Sequence, residues 1–312
     1  MSGISVGAAL GEGFGLIRRR PLAVLAWGAI LVGLQVATFA LFAPYYLAVY
    51  GAIFESLAQG AGPLPVAALS SPEIRRMQSL LQLFNIVQLF VAIVVYCATF
   101  RAVLHPERSA FAYLRVGAPE LFLAVLSVAG FVALVIALVI AIIPVSIVLG
   151  IVIAASHGAG AMALTLVLIP IVLLAMLLVV LFVGVRFAFV GPMMVEDGKF
   201  HLFESWTLTR GRVGSLVLMA LGLFAMFLLV DIVLLALFIA GGVAIVQSIG
   251  GLGPAAALLH GSPQALLAKL APVLVIYVVV HVPLAGCLAA IAGAPWARAY
   301  RDLLPEAAST FA

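Results

Sequence analysis

Long apolar stretches alternate with short polar segments along the whole of this 312-residue chain. Six stretches of about 20 residues are almost free of charge, which is the length at which a helix crosses the hydrocarbon core of a bilayer. They cover residues 22–42, 80–100, 121–143, 163–185, 214–238 and 272–293. The pattern predicts an all-α fold, a polytopic membrane helix bundle with six transmembrane helices. No loop exceeds about 40 residues, too few for a separate soluble domain, so residues 1–312 are expected to form a single membrane domain.

One polar segment recurs later in the chain. The segments Leu10–Arg20 and Leu202–Arg212 share five identical residues at the same spacing. A weaker third copy lies between them. In each copy an aromatic residue stands four positions before an arginine, shortly before a span begins, and the three pairs are Phe14 and Arg18, Phe111 and Arg115, and Trp206 and Arg210.

Repeats at a long period set the architecture of a whole fold. The recurring segments predict three units, residues 4–107, 108–198 and 199–306, each with a short interfacial helix, a span out and a span back. Because all three units would enter from one side, they would be parallel repeats. A simpler alternative stays open, since any membrane helix that begins on the basic side tends to carry an aromatic residue and an arginine as interfacial anchors.

The best-developed interfacial segment is residues 199–210. At 100° per residue, His201, Glu204, Ser205 and Thr209 share one side of a helix, and the apolar residues around Trp206 occupy the other. This amphipathic pattern suits a helix that lies in the headgroup plane. A glycine, Gly211, is expected to end it.

Charge then fixes the orientation. Two thirds of the residues are hydrophobic and 8% are charged, whereas soluble domains carry about 25% charged residues. If both termini lie in the cytoplasm, the lysines and arginines outside the membrane are only Arg75, Arg76 and Lys269. The inside segments hold Arg18, Arg19, Arg20, Arg101, Arg108, Arg115, Arg186, Lys199, Arg210, Arg212, Arg298 and Arg301. Such an excess of lysine and arginine is typical of the cytoplasmic segments of bacterial inner-membrane proteins. It also accounts for the basic isoelectric point, so no nucleic-acid partner is predicted.

The second helix should begin outside the membrane. Ser71 precedes Pro72, and a serine N-cap followed by a proline in the first turn is a typical helix start.

Five polar residues fall within the predicted spans, where they are costly and often functional. They are Gln35, Asn85, Gln88, Asp231 and His281. At 1.5 Å per residue, all five would lie about 20 to 27 Å from the cytoplasmic boundary, in one loose polar layer. Asp231 is the single acidic residue of the predicted spans and therefore the leading candidate for a proton-coupled, cation-binding or solute-lining role. The alternative is a hydrogen bond between helices.

Sequence signatures of enzymes are missing. The chain has no HExxH zinc helix, no glycine-rich phosphate loop and no clustered cysteines and histidines. We therefore predict no catalytic residues, no cofactor and no metal site.

The segment from Arg186 to Arg212 resembles a recurring block in bacterial inner-membrane proteins related to the glycerophosphoryl diester phosphodiesterase membrane-domain family. An arginine leaves a span and is followed by Pro192, the pair Val195-Glu196 and the element Ser205-Trp206-Thr207-Leu208-Thr209-Arg210-Gly211. The segment 101–120 is also similar to bacterial membrane proteins. The resemblance implies a multispanning bundle. It implies little chemistry, because phosphodiesterase activity in that family belongs to a separate soluble domain.

Two functional hypotheses follow from the sequence. The first is a non-enzymatic scaffold, assembly or lipid-associated accessory protein, with membrane lipids and a second membrane protein as its expected partners. The second is a small-solute or ion transporter that uses the polar layer around Asp231. A continuous polar path through that layer would favour the transporter, and a tightly packed bundle would favour the scaffold.

Overall fold

The structure is a computed structural model that describes residues 4–58, 60, 71–155, 159–259 and 263–310. These residues are almost entirely α-helical and contain no strand, which confirms the predicted all-α fold. The helices are α1 (Val6–Arg19), α2 (Pro21–Leu41), α3 (Ala43–Ala58), α4 (Pro72–Leu104), α5 (Ala118–Ala155), α6 (Ala159–Arg186), α7 (Val190–Asp197), α8 (Leu202–Leu208), α9 (Val213–Ile249), α10 (Leu252–Leu259) and α11 (Pro263–Thr310), with a 3-10 turn at Ala110–Tyr113 between α4 and α5.

Six stretches of helix are long and apolar enough to cross a membrane, and each overlaps one of the predicted spans. They are Pro21–Leu41, Ile74–Leu104, Ala110–Val148, Ile169–Asp197, Val213–Ile249 and Ala271–Leu304. Several helices are longer than a bilayer requires. The 38 residues of α5 correspond to about 57 Å of helix at 1.5 Å per residue.

Local signals in the sequence explain several helix ends. Ser71 caps α4 by accepting a hydrogen bond from the backbone N–H of Ile74 at 3.2 Å, as the sequence predicted. Ser5 caps α1 in the same way. Gly198 ends α7 and Gly211 follows α8, and both adopt positive φ angles, 73° and 80°, which glycine reaches without steric cost.

The interfacial helix predicted over 199–210 is shorter in the structure and faces differently. It covers only Leu202–Leu208. The polar side that was expected in the headgroup plane partly faces the protein, because Ser205 and Thr209 are buried against the end of α6. The periodicity could not show this, since it does not distinguish water from a neighbouring arginine as the partner of a polar face.

Helix α11 is the centre of the packing, and it contacts α1, α2 and α4. Glycines allow the close approaches. A Cβ atom on Gly28 of α2 would lie 1.8 Å from the carbonyl oxygen of Val282, and one on Gly286 of α11 would lie 2.0 Å from that of Val24. Small residues at such crossings are how membrane helices gain van der Waals contact without a hydrophobic driving force.

The buried core lies toward one end of the bundle. This end comprises α1, the segment 105–117, α7, α8, the C-terminal part of α11 and the adjoining ends of α2, α4, α5, α6 and α9, and we call it the basic end. Two core clusters occupy it. The first includes Leu16, Trp27, Phe100, Tyr113 and Ala297, and the second includes Ala9, Phe189, Leu208, Met219 and Tyr300. In contrast, most described residues of α5 and α6 are exposed, as expected of lipid-facing helices.

Candidate functional site

The polar residues predicted within the spans do not form one hydrogen-bonded group in the described chain. Asp231 is exposed on α9, and it has no hydrogen-bond or ion-pair partner among the described residues. The ring of His281 stacks on that of Tyr277, one turn earlier in α11, with centroids 3.9 Å apart. Asn85 lies 3.5 Å from the side-chain oxygen of Gln82, in its own helix. The structure thus joins neither His281 nor Asn85 to Asp231.

Gln88 links two helices. Its side-chain amide on α4 donates a hydrogen bond of 2.9 Å to the Thr38 hydroxyl on α2, which in turn donates to the carbonyl oxygen of Leu34. Gln35 is exposed on α2. The contact made by Gln88 is of the structural kind, a hydrogen bond that holds two membrane helices together.

The predicted interfacial anchors all lie on the surface of the structure. These exposed residues are Phe14, Arg18, Phe111, Arg115, Trp206 and Arg210. Their role as membrane anchors remains a prediction, although exposed aromatic and arginine side chains are what an interface would select.

The two longer recurring segments match in burial at some of their shared positions and differ at others, since Glu12 is buried and its counterpart Glu204 is partly exposed. Leu16 and its counterpart Leu208 are buried in the two core clusters. Phe14 and its counterpart Trp206 are exposed. The elements that hold them differ, because α1 has 14 residues and α8 has seven. Duplication of the three units stays a prediction.

Glu120, in the first turn of α5, is a buried polar group that connects two helices at the basic end. Its carboxylate is fully buried and forms an ion pair with the guanidinium of Arg101 on α4. Its other oxygen accepts a hydrogen bond of 2.9 Å from the backbone N–H of Gly117. That second bond is half of a capping box, in which a glutamate in the first turn reaches back to the residue before the helix. Glu120 therefore fixes the start of α5 and ties it to α4.

The segment between α4 and α5 contains an unusual turn. Phe111, Ala112 and Tyr113 have φ angles of 52°, 54° and 65°, in the left-handed region that costs residues other than glycine about 1–2 kcal/mol each. We call this segment the left-handed turn. Such strain persists only where surrounding contacts determine the backbone.

Three side chains hold the left-handed turn in place. The indole N–H of Trp27 donates to the carbonyl oxygen of Ala112 at 2.8 Å, and Arg101 donates to that of Tyr113 at 3.3 Å. The Tyr113 hydroxyl donates to the carbonyl oxygen of Pro106 at 3.0 Å. These bonds come from α2, α4 and the turn itself, so they join the turn to two spans.

Two clefts flank the left-handed turn. One has a volume of about 240 Å³ and is lined by Arg101, His105, Arg108, Arg115, Gly117 and Val195. The other, which we call the headgroup cleft, has a volume of about 350 Å³ and lies between the turn and the junction of α1 with α2. It is lined by Arg19, Arg20, Leu22, Ser109, Ala112 and Tyr113.

A second buried carboxylate, Glu12, joins the two ends of the chain. Its side chain forms an ion pair with Arg19, which is also on α1, and lies 3.8 Å from the guanidinium of Arg298 on α11. Burial of a carboxylate is costly unless cations and hydrogen bonds compensate it. The two arginines provide that compensation, and they connect the N-terminal helix to the C-terminal one.

Arg186 organises the contact between α6 and α8. Its guanidinium lies 4.7 Å from the centroid of the Trp206 ring, in cation–π geometry, and donates to the carbonyl oxygen of Trp206 at 3.1 Å. The Ser205 hydroxyl donates to the carbonyl oxygen of Arg186 at 2.9 Å. These contacts explain why the polar side of α8 faces the protein.

His201, just before α8, stands between two carboxylates. Its Nε2 atom contacts Asp197, and its Nδ1 atom lies 3.4 Å from Glu204. Burial of the ring lowers the pKa of His201, but contact with the two carboxylates raises it, and the net shift is above the ordinary value of 6.5. His201 therefore holds its proton to a higher pH than a free histidine.

The sequence pattern did not reveal three residues whose contacts join helices at the basic end, Glu12, Glu120 and Trp27. One signal was present. Gly117-Ala118-Pro119-Glu120 has a proline in the first turn and a glutamate three positions after the cap, the pattern of a helix start. The pairing with Arg101 carried no such signal, because 19 residues separate the partners.

Comparison with known protein families finds no family that matches the chain, and comparisons with curated proteins and with solved structures find no match either.

Proposed function

We propose that this chain is an integral protein of a bacterial inner membrane, with both termini in the cytoplasm and no catalytic activity. Its role is that of a scaffold, assembly or lipid-associated accessory protein, which works by binding lipids or another membrane protein. The resemblance of residues 186–212 to bacterial inner-membrane proteins agrees with this location.

One observation carries the proposal. Among the described residues, the charged side chains that are buried are Glu12 and Glu120, and both are neutralised by arginines of the same chain. Each also ties together parts of the bundle. Buried charges at a catalytic centre are usually aimed at a ligand, whereas these two are used in holding helices to one another. That use supports a structural role.

A transport assay tests the proposal against the transporter hypothesis. The purified protein would be reconstituted into liposomes. Proton flux would be followed with an internal pH-sensitive dye, and cation flux with an internal cation-sensitive dye. We expect flux no greater than in protein-free vesicles. Glu204→Gln is the control, because it removes a carboxylate outside the spans. Flux above that background would overturn the proposal in favour of transport if Asp231→Asn abolishes it and Glu204→Gln does not.

Co-purification tests the accessory role itself. After mild detergent extraction, we expect the protein to carry a fixed ratio of a bound lipid or of a second membrane protein, identified by mass spectrometry. A lipid-free, partner-free protein would contradict the accessory role.

A further inference from the structure

We propose that the headgroup cleft binds the phosphate group of an anionic membrane lipid. The cleft lies at the junction where α1 ends at Arg19 and α2, the first span, begins at Pro21. The cleft therefore lies where the polar basic end meets the apolar surface of the first span. The inference rests on the lipid association put forward above and names the ligand chemistry and the residues.

Positive charge in the cleft is not fully neutralised by the residues that the structure describes. Arg20 donates one hydrogen bond of 2.9 Å to the carbonyl oxygen of Pro106, and among the described residues it has no carboxylate partner. A guanidinium has five N–H donors, so most of those of Arg20 remain for a ligand. Arg19 adds a second guanidinium, although Glu12 binds it.

Neutral donors add to this charge. Leu22 and Ala23 line the cleft and belong to the first turn of α2, where backbone N–H groups have no acceptor within the helix. The N-terminus of a 21-residue helix also carries a partial positive charge that favours an oxyanion. The Ser109 hydroxyl is exposed at the cleft and can donate to a phosphate oxygen.

Apolar side chains at the rim favour a lipid over a free phosphate. Leu22 lines the cleft and is 80% exposed, and Phe111, which precedes the lining residue Ala112 in the chain, is 88% exposed. In water such exposure of large apolar side chains would be unfavourable, whereas acyl chains beside a bound headgroup would cover both residues. A soluble phosphate would leave them uncovered.

The cleft is also rigid. One of its walls is the left-handed turn, which Trp27, Arg101 and Tyr113 hold by hydrogen bonds. Strained backbone that is fixed in this way is concentrated at functional sites. A backbone that is already fixed lowers the entropic cost of binding a ligand.

The neighbouring cleft is a weaker candidate for an anion. Its Arg101 is bound by Glu120, its His105 lies 3.2 Å from Glu196, and Arg108 lies 3.5 Å from Glu107. Arg115 also lines this cleft and has no carboxylate partner among the described residues. Each cleft thus has one arginine without a described carboxylate partner. The headgroup cleft is the better site because there Arg20 is joined by the free backbone N–H groups at the start of α2 and by the exposed Leu22.

Fluorescence anisotropy of a labelled short-chain phosphatidylglycerol tests the proposal on the full-length protein in neutral detergent. We expect Arg20→Gln to weaken binding by about tenfold or more, since one hydrogen bond to a charged group has that effect. Leu22→Ser should weaken lipid binding as well. Arg210→Gln is the matched control, because it removes one exposed charge from the same end, and general attraction to an anionic lipid would act on both arginines alike.

Competitors distinguish the two sources of phosphate. Unlabelled phosphatidylglycerol should displace the probe, whereas inorganic phosphate and glycerol phosphate should displace it only at far higher concentrations. Equal displacement by the soluble phosphates would overturn the lipid assignment, and equal affinity of the Arg20→Gln and Arg210→Gln proteins would overturn the site. Either result would contradict the lipid site and would not bear on the accessory role. Solute flux in the transport assay would contradict the accessory role and would not bear on the lipid site.

Discussion

Glu12 and Glu120 illustrate how single residues hold this bundle together. Each carboxylate is buried and forms an ion pair, Glu12 with Arg19 and Glu120 with Arg101. A buried ion pair adds little net stability relative to apolar packing, but the loss of one partner leaves an uncompensated charge. Such pairs therefore act mainly by disfavouring other arrangements of the helices.

Removal of the Glu120 charge should destabilise the protein strongly. In Glu120→Gln the guanidinium of Arg101, which is 14% exposed, loses its counter-charge, and we expect the free energy of unfolding to fall by about 3–5 kcal/mol. Unfolding in mixed detergent micelles, followed by tryptophan fluorescence, measures the change.

Glu107→Gln is the control for that measurement. Glu107 is 64% exposed and pairs with the equally exposed Arg108, so its loss should change the free energy of unfolding by less than about 1 kcal/mol. Equal destabilisation by the two substitutions would show that the buried pair has no special role.

His201 should make the connection between α7 and α8 sensitive to pH. Its pKa in the folded protein is raised above the ordinary value of 6.5 by Asp197 and Glu204, despite burial. The stability that comes from this contact is therefore fully present below about pH 6.5 and is lost as the pH rises through the raised value. NMR titration of the histidine rings should show one ring with a raised pKa that disappears in His201→Asn. A ring that titrates at or below the ordinary value would contradict the assignment.

At the scale of elements, apolar length predicted the spans well, because each run of about 20 residues must be helical to satisfy its backbone in lipid. The same signal could not predict the left-handed turn at 111–113. That turn depends on Trp27 of α2 and Arg101 of α4, which are close to it only after folding. The helix predicted over 199–210 was longer than the observed one for the same reason. Its contact with Arg186 forms only when the chain folds.

The crossing of α2 and α11 should be intolerant of added volume. In Gly28→Ala the new Cβ would lie 1.8 Å from a backbone oxygen that cannot move aside alone, so the helices must separate. We expect a loss of about 1–3 kcal/mol in the free energy of unfolding. Gly33→Ala, on the same helix, meets no atom within 4 Å and should have little effect or stabilise slightly. Unfolding of both variants in mixed micelles checks the difference, and a similar loss in both would contradict the close crossing.

For the molecule as a whole, the sequence predicted the class of fold and the six candidate spans but not where its polar contacts would gather. Depth along the chain placed Asp231, His281 and Asn85 in one layer, yet equal depth does not bring side chains together. Their position around the bundle depends on helix rotation, which follows from contacts such as those of Gly28 and Gly286. The most connected polar groups lie instead at the basic end, where the helices are most tightly packed.

The proposed orientation places the basic end at the cytoplasmic face, and labelling of single cysteines tests this directly. In a Cys97→Ala, Cys287→Ala background, one cysteine would be placed at Ser109, beside the headgroup cleft, and in a second protein at Ser71, the cap of α4. A thiol reagent that cannot cross membranes would be applied to intact cells that are permeable only at the outer membrane. We expect labelling at position 71 in intact cells and at position 109 only after the inner membrane is opened. Labelling at position 109 from outside would contradict the proposed orientation and, with it, the cytoplasmic lipid site.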